Sequence, residues 1–419
     1  MRDLIKNKLG DPDLLEQMYR ENPDLFSSEF RAIYPDLEQT EAVRFWKSRL
    51  DYGQAPVKAV GIIKMDVYVL VLVCALSGFL IKLPEIFSID LEKFPFYEKN
   101  AALIVLFGLS LYALRTNMVQ SWRKIAVTLL AFIIPAIYIN LLPTGNEADA
   151  IILAYLHLPL LMWSIYGLVY IDFDLKDLAK RIVFIRYNGD LAILGAIIMI
   201  SGGILTGISI GLFSAIDIQA ETFYTTYVVI IGLVSVPVVA TYIVRNYPSL
   251  TNKIAPVIAG IFSPLVLITL VIYLLSIMVS GKDPYNDRDF LLVFNGMLLG
   301  VMAIIVFSVS ETSSGKRQSL NRWILLILTG VTLIIDLVAL SAIFYRLGEY
   351  GITPNRIAVL GSNLLIFGNL LQIFIDFIRV QLGKSHIDVV ERTIARYLPV
   401  YTLWTIIVVF GFPLFFGMK

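Results

Sequence analysis

Few side chains in this sequence can do chemistry, and the most prominent is an aspartate placed where hydrocarbon is expected. Asp336 stands inside Leu333-Ile334-Ile335-Asp336-Leu337-Val338. A carboxylate at the centre of a membrane helix costs about 2.5–3.5 kcal/mol on insertion scales, so it must face the bundle and find compensation there. Two readings are open: a proton or cation site, or one structural hydrogen bond to a neighbouring helix. His157 is the one histidine in an apolar run, two residues before Pro159. A neutral, satisfied ring beside a proline kink is favoured there over a ligand. Asp376 has Arg379 one turn on, the spacing of a local ion pair. Asn295, Asn363, Asn369 and Gln372 are uncharged polar groups in or near apolar runs, suited to bonding across helices or lining a polar path.

A second group lies between two apolar runs, at 346–356. It contains Arg346, Glu349, Tyr350, Gly351, Thr353, Pro354 and Arg356. Thr353-Pro354 reads as the N-cap and first turn of a helix. Two arginines on what charge counting makes an outer surface call for partners, either Glu349 or an anionic ligand; a rigid turn with exposed charge is the plainer alternative. The third feature is Gly203-x-x-x-Gly207-x-x-x-Gly211. Glycines four apart make a flat helix face for close packing, expected inside the bundle, with dimerisation as the sharper alternative.

Other chemistry is excluded. There is no Walker loop, HExxH, CxxC or GxSxG pattern. Two histidines and one cysteine, Cys74, cannot assemble the usual transition-metal site, and no cofactor is implied. A net charge of +1 gives no field to recruit nucleic acid.

The elements that position these residues are helices. Hydrophobic residues make up 58% of the 419 and charged residues 16%, well below the roughly 25% usual in soluble domains; mean hydropathy is +0.77. The expected fold is all-α: a polytopic membrane helix bundle at 65–419 behind a small cytosolic helical module at 1–64. About eleven transmembrane helices are expected, near 65–81, 101–114, 125–142, 150–171, 191–213, 224–244, 254–279, 291–309, 323–344, 357–377 and 397–416. Basic residues set the orientation. Connections after the even-numbered runs carry 16 Lys/Arg, those after the odd-numbered runs 7. This places the N-terminus in the cytoplasm and the C-terminus outside.

The first 64 residues carry ten basic and eleven acidic groups and lack the apolar stretch of a cleavable leader. Asp11-Pro12, Asn22-Pro23 and Tyr34-Pro35-Asp36 predict three helix starts. Leu14, Leu15, Met18, Phe26, Phe30, Ile33, Val43, Trp46 and Leu50 recur at helical spacing. A module this small should lean on the membrane domain or on a protein partner. Two inner connections, 172–190 and 379–396, are basic and amphipathic, and read either as interfacial helices or as solvated connectors. Ile171-Asp172-Phe173 and Ile375-Asp376-Phe377 precede them, a short echo that chance explains better than an internal repeat does. Pro135, Pro159, Pro237, Pro256 and Pro264 interrupt other runs, as in the kinked helices of many transporters.

Tyr350-Gly351-Ile352-Thr353 with Arg356 resembles the Tyr-Gly-(Leu/Ile/Trp)-Thr-x-x-Arg pattern of a bacterial multipass family known as domain of unknown function 4153. Arg396-Tyr397-Leu398-Pro399-Val400-Tyr401 through Phe412-Pro413 is similar to that family's last helix. The stretch from Ile33-Tyr34-Pro35-Asp36 to Phe45-Trp46-Lys47-Ser48-Arg49-Leu50 is similar to N-terminal modules of Bacteroidetes members. The resemblance implies a bacterial inner-membrane protein and carries no activity. Three functions are therefore weighed: a transporter or channel-like protein for a small solute or ion; a sensor or scaffold docking a partner through residues 1–64; and an enzyme acting on lipid or a lipid-linked glycan. The lipid bilayer is the expected environment, and nothing in the sequence sets the oligomeric state.

Overall fold

The computed structural model describes residues 2–21, 23–38, 40–52, 60–144, 148–214, 219, 221–247, 259–260, 262–272, 274–275, 285, 288–311 and 318–417. The chain divides into two compact units, Met1–Val67 and Tyr68–Lys419.

In the first unit, α1 (Arg2–Asn7), α2 (Pro12–Glu21), α3 (Pro23–Ile33) and α4 (Glu41–Tyr52) enclose a small core. Two of the three proline starts behave as expected. Pro12 and Pro23 open α2 and α3, and Asp11 Oδ1 accepts from the Leu14 amide at 3.2 Å. The third does not. Tyr34–Asp36 forms only a 3₁₀ turn, and α4 starts later, where Thr40 Oγ1 accepts from the Val43 amide. Ile5, Leu15, Phe26, Phe30, Val43 and Trp46 are buried together.

In the second unit, seven helices among the described residues are long and apolar enough to cross a membrane. They are α7 (Trp122–Leu141), α8 (Asp149–Tyr170), α9 (Leu178–Ser214), α10 (Glu221–Asn246), α13 (Gln318–Tyr350), α14 (Pro354–Gln381) and α15 (Asp388–Phe416). Shorter apolar stretches lie at α5 (Met65–Ile81), α11 (Phe262–Ile272) and Asn295–Ser310. The last lies within α12 (Arg288–Glu311), and α6 (Phe96–Thr116) precedes α7. These helices leave large apolar side chains uncovered. Leu130, Ile133, Ile134 and Ile137 project from α7, and Ile200, Ile204, Leu205 and Ile208 from α9. Contiguous apolar surface of this kind needs a lipid or protein cover. The helices mark the chain as an integral membrane protein.

The amphipathic inner connections are not separate elements. Residues 178–190 are the first turns of α9, which runs 37 residues without a break; at 1.5 Å per residue that is about 55 Å, more than a hydrocarbon core requires. Residues 388–396 likewise begin α15. Where α8 ends, Asp172 and Phe173 take left-handed backbone conformations, and Lys124 holds Asp172 at 2.7 Å. Just beyond, a hydrogen bond from Lys180 keeps the Asp174 carboxyl below its ordinary value. Pro135, Pro159 and Pro237 sit inside α7, α8 and α10. Pro264 lies in the first turn of α11, and Pro256 lies outside the described residues.

Packing gathers around two centres. α5, α6, α8, α9 and α10 share one core, with Tyr112, Tyr166 and Tyr187 at its middle. α12, α13, α14 and the start of α15 share a larger one, with Leu328, Ile335, Leu370, Ile373 and Phe377 fully enclosed.

Candidate functional site

Asp336 lies in that larger core. It is 0% exposed, and its backbone neighbours Leu333, Ile335 and Ala339 are core residues. Thr329 and Thr332, also fully buried, share its face of α13, but their hydroxyls bond carbonyls of their own helix, at Leu325 and Leu328. Neither Asp336 carboxyl oxygen has a hydrogen-bond partner among the described residues. The structural alternative, a bond to a neighbouring helix, has no partner for it among the described residues.

Two polar groups on α14 and α15 bond each other in the same core. Asn369 of α14 is 1% exposed and donates Nδ2–H to the Tyr401 hydroxyl of α15 at 3.1 Å, while its own Oδ1 is buried without a partner. The core of α12–α15 thus holds a carboxyl on α13 and, joining α14 to α15, an amide–phenol pair. Tyr401 was not singled out in the sequence; its signal was its place in a four-residue recurrence, Thr393, Tyr397, Tyr401, Thr405.

The other polar residues distribute differently. Asn363 donates to Asn295 Oδ1 at 2.9 Å, joining α14 to α12. Gln372 is exposed. Asp376 is buried at the far end of α14 and accepts from the Thr393 hydroxyl at 2.6 Å and from Arg379 at 3.3 Å. The expected local pair is present, with a cross-helix partner added. His157 turns its Nδ1 onto the Leu153 carbonyl of its own helix at 2.9 Å.

The 346–356 turn is self-contained. Gly351 has a φ of +75°, a conformation that suits glycine. Thr353 Oγ1 caps α14 by accepting from the Arg356 amide. The Arg356 guanidinium donates to the Tyr350 and Gly351 carbonyls, both at 2.6 Å, and lies over the Tyr350 ring. Its partners are thus the carbonyls that end α13, a cation at a helix C-terminus. No ion pair between Arg346 and Glu349 is present among the described residues. Glu349 is exposed, and Arg346 Nη1 is buried without a partner there.

Among the described residues, nothing packs on the glycine stripe at Gly203 and Gly207. Gly203 and Gly207 are exposed, and a Cβ on either would meet nothing within 4 Å. The side chain surroundings of Gly211 lie outside the described residues. The close approaches occur at other glycines. A Cβ at Gly361 would stand 2.0 Å from the Trp404 ring, and one at Gly368 2.8 Å from the Tyr397 hydroxyl.

Sequence reasoning also passed over several buried polar pairs. Arg186 of α9 meets Glu391 of α15 at 3.0 Å and donates to the Ser310 carbonyl at 2.5 Å. Lys99, fully buried, donates to the Leu142 carbonyl at 3.0 Å. Tyr166 donates to Tyr187 at 2.8 Å, Tyr187 meets Thr241 at 2.6 Å, and Thr241 donates to the Pro237 carbonyl at 2.7 Å. No cluster of three metal-binding side chains occurs among the described residues. Comparison of the chain with family models, curated proteins and solved structures found no match.

Proposed function

We propose that this chain is a transporter or channel-like protein that moves a small solute or ion, with Asp336 as the group that carries the ion. The observation behind this reading is the pair of buried carboxyl oxygens with no bonding partner among the described residues. An ionised carboxylate in that position would forfeit several kcal/mol, a large part of a total stability of roughly 5–15 kcal/mol. The group therefore carries a proton or a bound cation. A side chain that must be neutralised by a mobile ion is what an occluded state of an ion-coupled protein requires. Asn369 Oδ1 and the Tyr401 hydroxyl supply further oxygen atoms of the kind a hard cation or a proton relay uses.

The setting proposed is a bacterial inner membrane, with about eleven transmembrane helices, the N-terminus cytoplasmic and the C-terminus outside. It rests on the Lys/Arg asymmetry of the connections and on the resemblance to the multipass family named above. The test is ion uptake into proteoliposomes under an imposed membrane potential, read with a pH dye and a sodium dye, with and without a panel of amino acids, sugars and organic acids. Wild type should take up one of these ions, alone or with one solute, and Asp336→Asn should lose more than roughly tenfold of that uptake. No uptake under any condition, or undiminished uptake by Asp336→Asn, overturns the reading.

One observation favours a second role, partner docking by the N-terminal unit. Leu9, Pro12, Leu15, Glu16, Phe45 and Trp46 line a cavity of about 580 Å³ between α2 and α4, and Phe45 is 60% exposed at its edge. Removing residues 1–52 should then leave uptake intact while abolishing association with the partner.

A further inference from the structure

We infer that one end of the membrane unit, where α6, α8, α10 and α14 finish and α7, α9 and α15 begin, is a docking surface for anionic phospholipid headgroups. Arg115, Arg123, Lys176, Arg245, Lys384 and Arg396 are the groups that meet them. This inference does not depend on the reading of Asp336.

Hydrogen bonds set these helix ends side by side. Arg245, in the last turn of α10, donates to the Thr116 carbonyl at 2.6 Å and to Thr116 Oγ1 at 2.8 Å, where α6 ends. Asn117, the next residue, donates to the Tyr170 carbonyl at the end of α8 at 3.1 Å. Lys124, in the first turn of α7, holds Asp172 just past that same end. Arg181, in the first turn of α9, donates to the Ala395 carbonyl of α15 at 3.0 Å. Thr393 of α15 donates to Asp376 Oδ2 in the last turns of α14 at 2.6 Å.

The cations at this end fall into two sets. Lys124, Lys180, Arg186, Arg379 and Arg392 each have a carboxylate within 2.7–3.3 Å. The six named above are exposed, and none has a carboxylate partner among the described residues. Asp177, the acid beside Lys176, is turned onto the Ala179 and Lys180 amides of its own helix start. The opposite end shows the reverse. Lys82 and Lys93 are paired with Glu85 and Asp90. Glu92, Glu98, Asp149, Glu221 and Glu349 are exposed there without a cation partner among the described residues. Exposed, uncompensated positive charge thus gathers at one end and negative charge at the other.

Large apolar side chains are interleaved with the cations. Trp122 is 72% exposed, and the Arg123 guanidinium stands 5.9 Å from its ring. Leu175 precedes Lys176 and Leu382 lies two residues before Lys384, both exposed. A soluble polyanion would neutralise the cations and leave Trp122, Leu175 and Leu382 in water. An anionic lipid monolayer satisfies both, with phosphates at the level of the cations and acyl chains beneath for the apolar groups.

The experiment uses the full chain in phosphatidylcholine vesicles holding increasing shares of brominated phosphatidylglycerol or brominated phosphatidylcholine. Bromine on the acyl chains quenches tryptophan, and the Trp122 signal is the difference between wild type and Trp122→Phe. The phosphatidylglycerol should half-quench Trp122 at a mole fraction at least about threefold lower than the phosphatidylcholine does. Salt at about 0.5 M should shrink that ratio, because it screens exposed charge. The combined variant Arg115→Gln, Arg123→Gln, Lys176→Gln and Arg396→Gln should bring the ratio to about one. None of these four side chains has a hydrogen-bond partner among the described residues, and unchanged quenching by brominated phosphatidylcholine shows that the variant is inserted. Phe87 is exposed at the opposite end, and Phe87→Trp, made together with Trp122→Phe, should report a ratio of about one. Equal quenching of Trp122 by the two lipids overturns the proposal. So does a preference that survives the combined variant, or the same preference at Phe87→Trp.

Discussion

Two buried polar groups of residues in the same membrane unit have opposite characters. Around Tyr187, every hydroxyl in the Tyr166–Tyr187–Thr241 chain is hydrogen-bonded, and the last donates to the Pro237 carbonyl. In the core that holds Asp336, its two carboxyl oxygens and the Asn369 amide oxygen are buried with no partner among the described residues. Both lie among close-packed side chains, so solvent access does not separate them. The completed chain uses its polarity to fix α8, α9 and α10 against one another. The incomplete one gives up stability at a defined point, as expected where an ion comes and goes.

Four substitutions sharpen this contrast, each followed as apparent thermal stability in detergent or lipid. Arg186→Ala has the largest expected effect. It strands Glu391, whose side chain is 10% exposed, beside the Ser310 carbonyl. Breaking a buried pair costs about 3–5 kcal/mol, and the 36% exposure of Arg186 places this one nearer 2–3 kcal/mol. Tyr187→Phe removes the shared hydroxyl and should cost about 1–2 kcal/mol by leaving Tyr166 and Thr241 short of a partner. Asp336→Leu should act in the opposite sense, gaining about 1 kcal/mol as an unbonded polar group leaves the core, while ion uptake is lost. A stability loss there as large as that of Tyr187→Phe would mean Asp336 is structural. Gly207→Ala should be the mildest: it meets open space and gains at most about 1 kcal/mol of helix propensity.

The sequence carried some of this and withheld the rest for physical reasons. Asp336 was legible because one charge interrupts a long apolar run. The turn at 350–356 was legible because Gly351, Thr353 and Pro354 each have a local conformational meaning; the Arg356 partners were not, since they are backbone carbonyls rather than side chains. Tyr401 and Asn369 were hidden as partners because helix pairing across α14 and α15 is a tertiary fact, invisible to periodicity. Residues 172–190 read either as a separate interfacial helix or as a solvated connector because they are basic and amphipathic, yet Leu178-Ala179-Lys180-Arg181 are strong helix formers and no proline separates them from the apolar run, so 178–190 join it. The stripe of Gly203 and Gly207 announced a flat face without saying which way it turned, and it turns away from the bundle. Glycines isolated in sequence, Gly361 and Gly368 among them, are the ones that permit close contact.

The most direct test of the Asp336 account is infrared spectroscopy of the protein in lipid at neutral pH, as the difference between wild type and Asp336→Asn. The account predicts a carbonyl band of a protonated carboxylic acid in apolar surroundings, present in wild type and lost in the variant. An ionised Asp336 whose carboxylate band ignores replacement of sodium by potassium or lithium would contradict it.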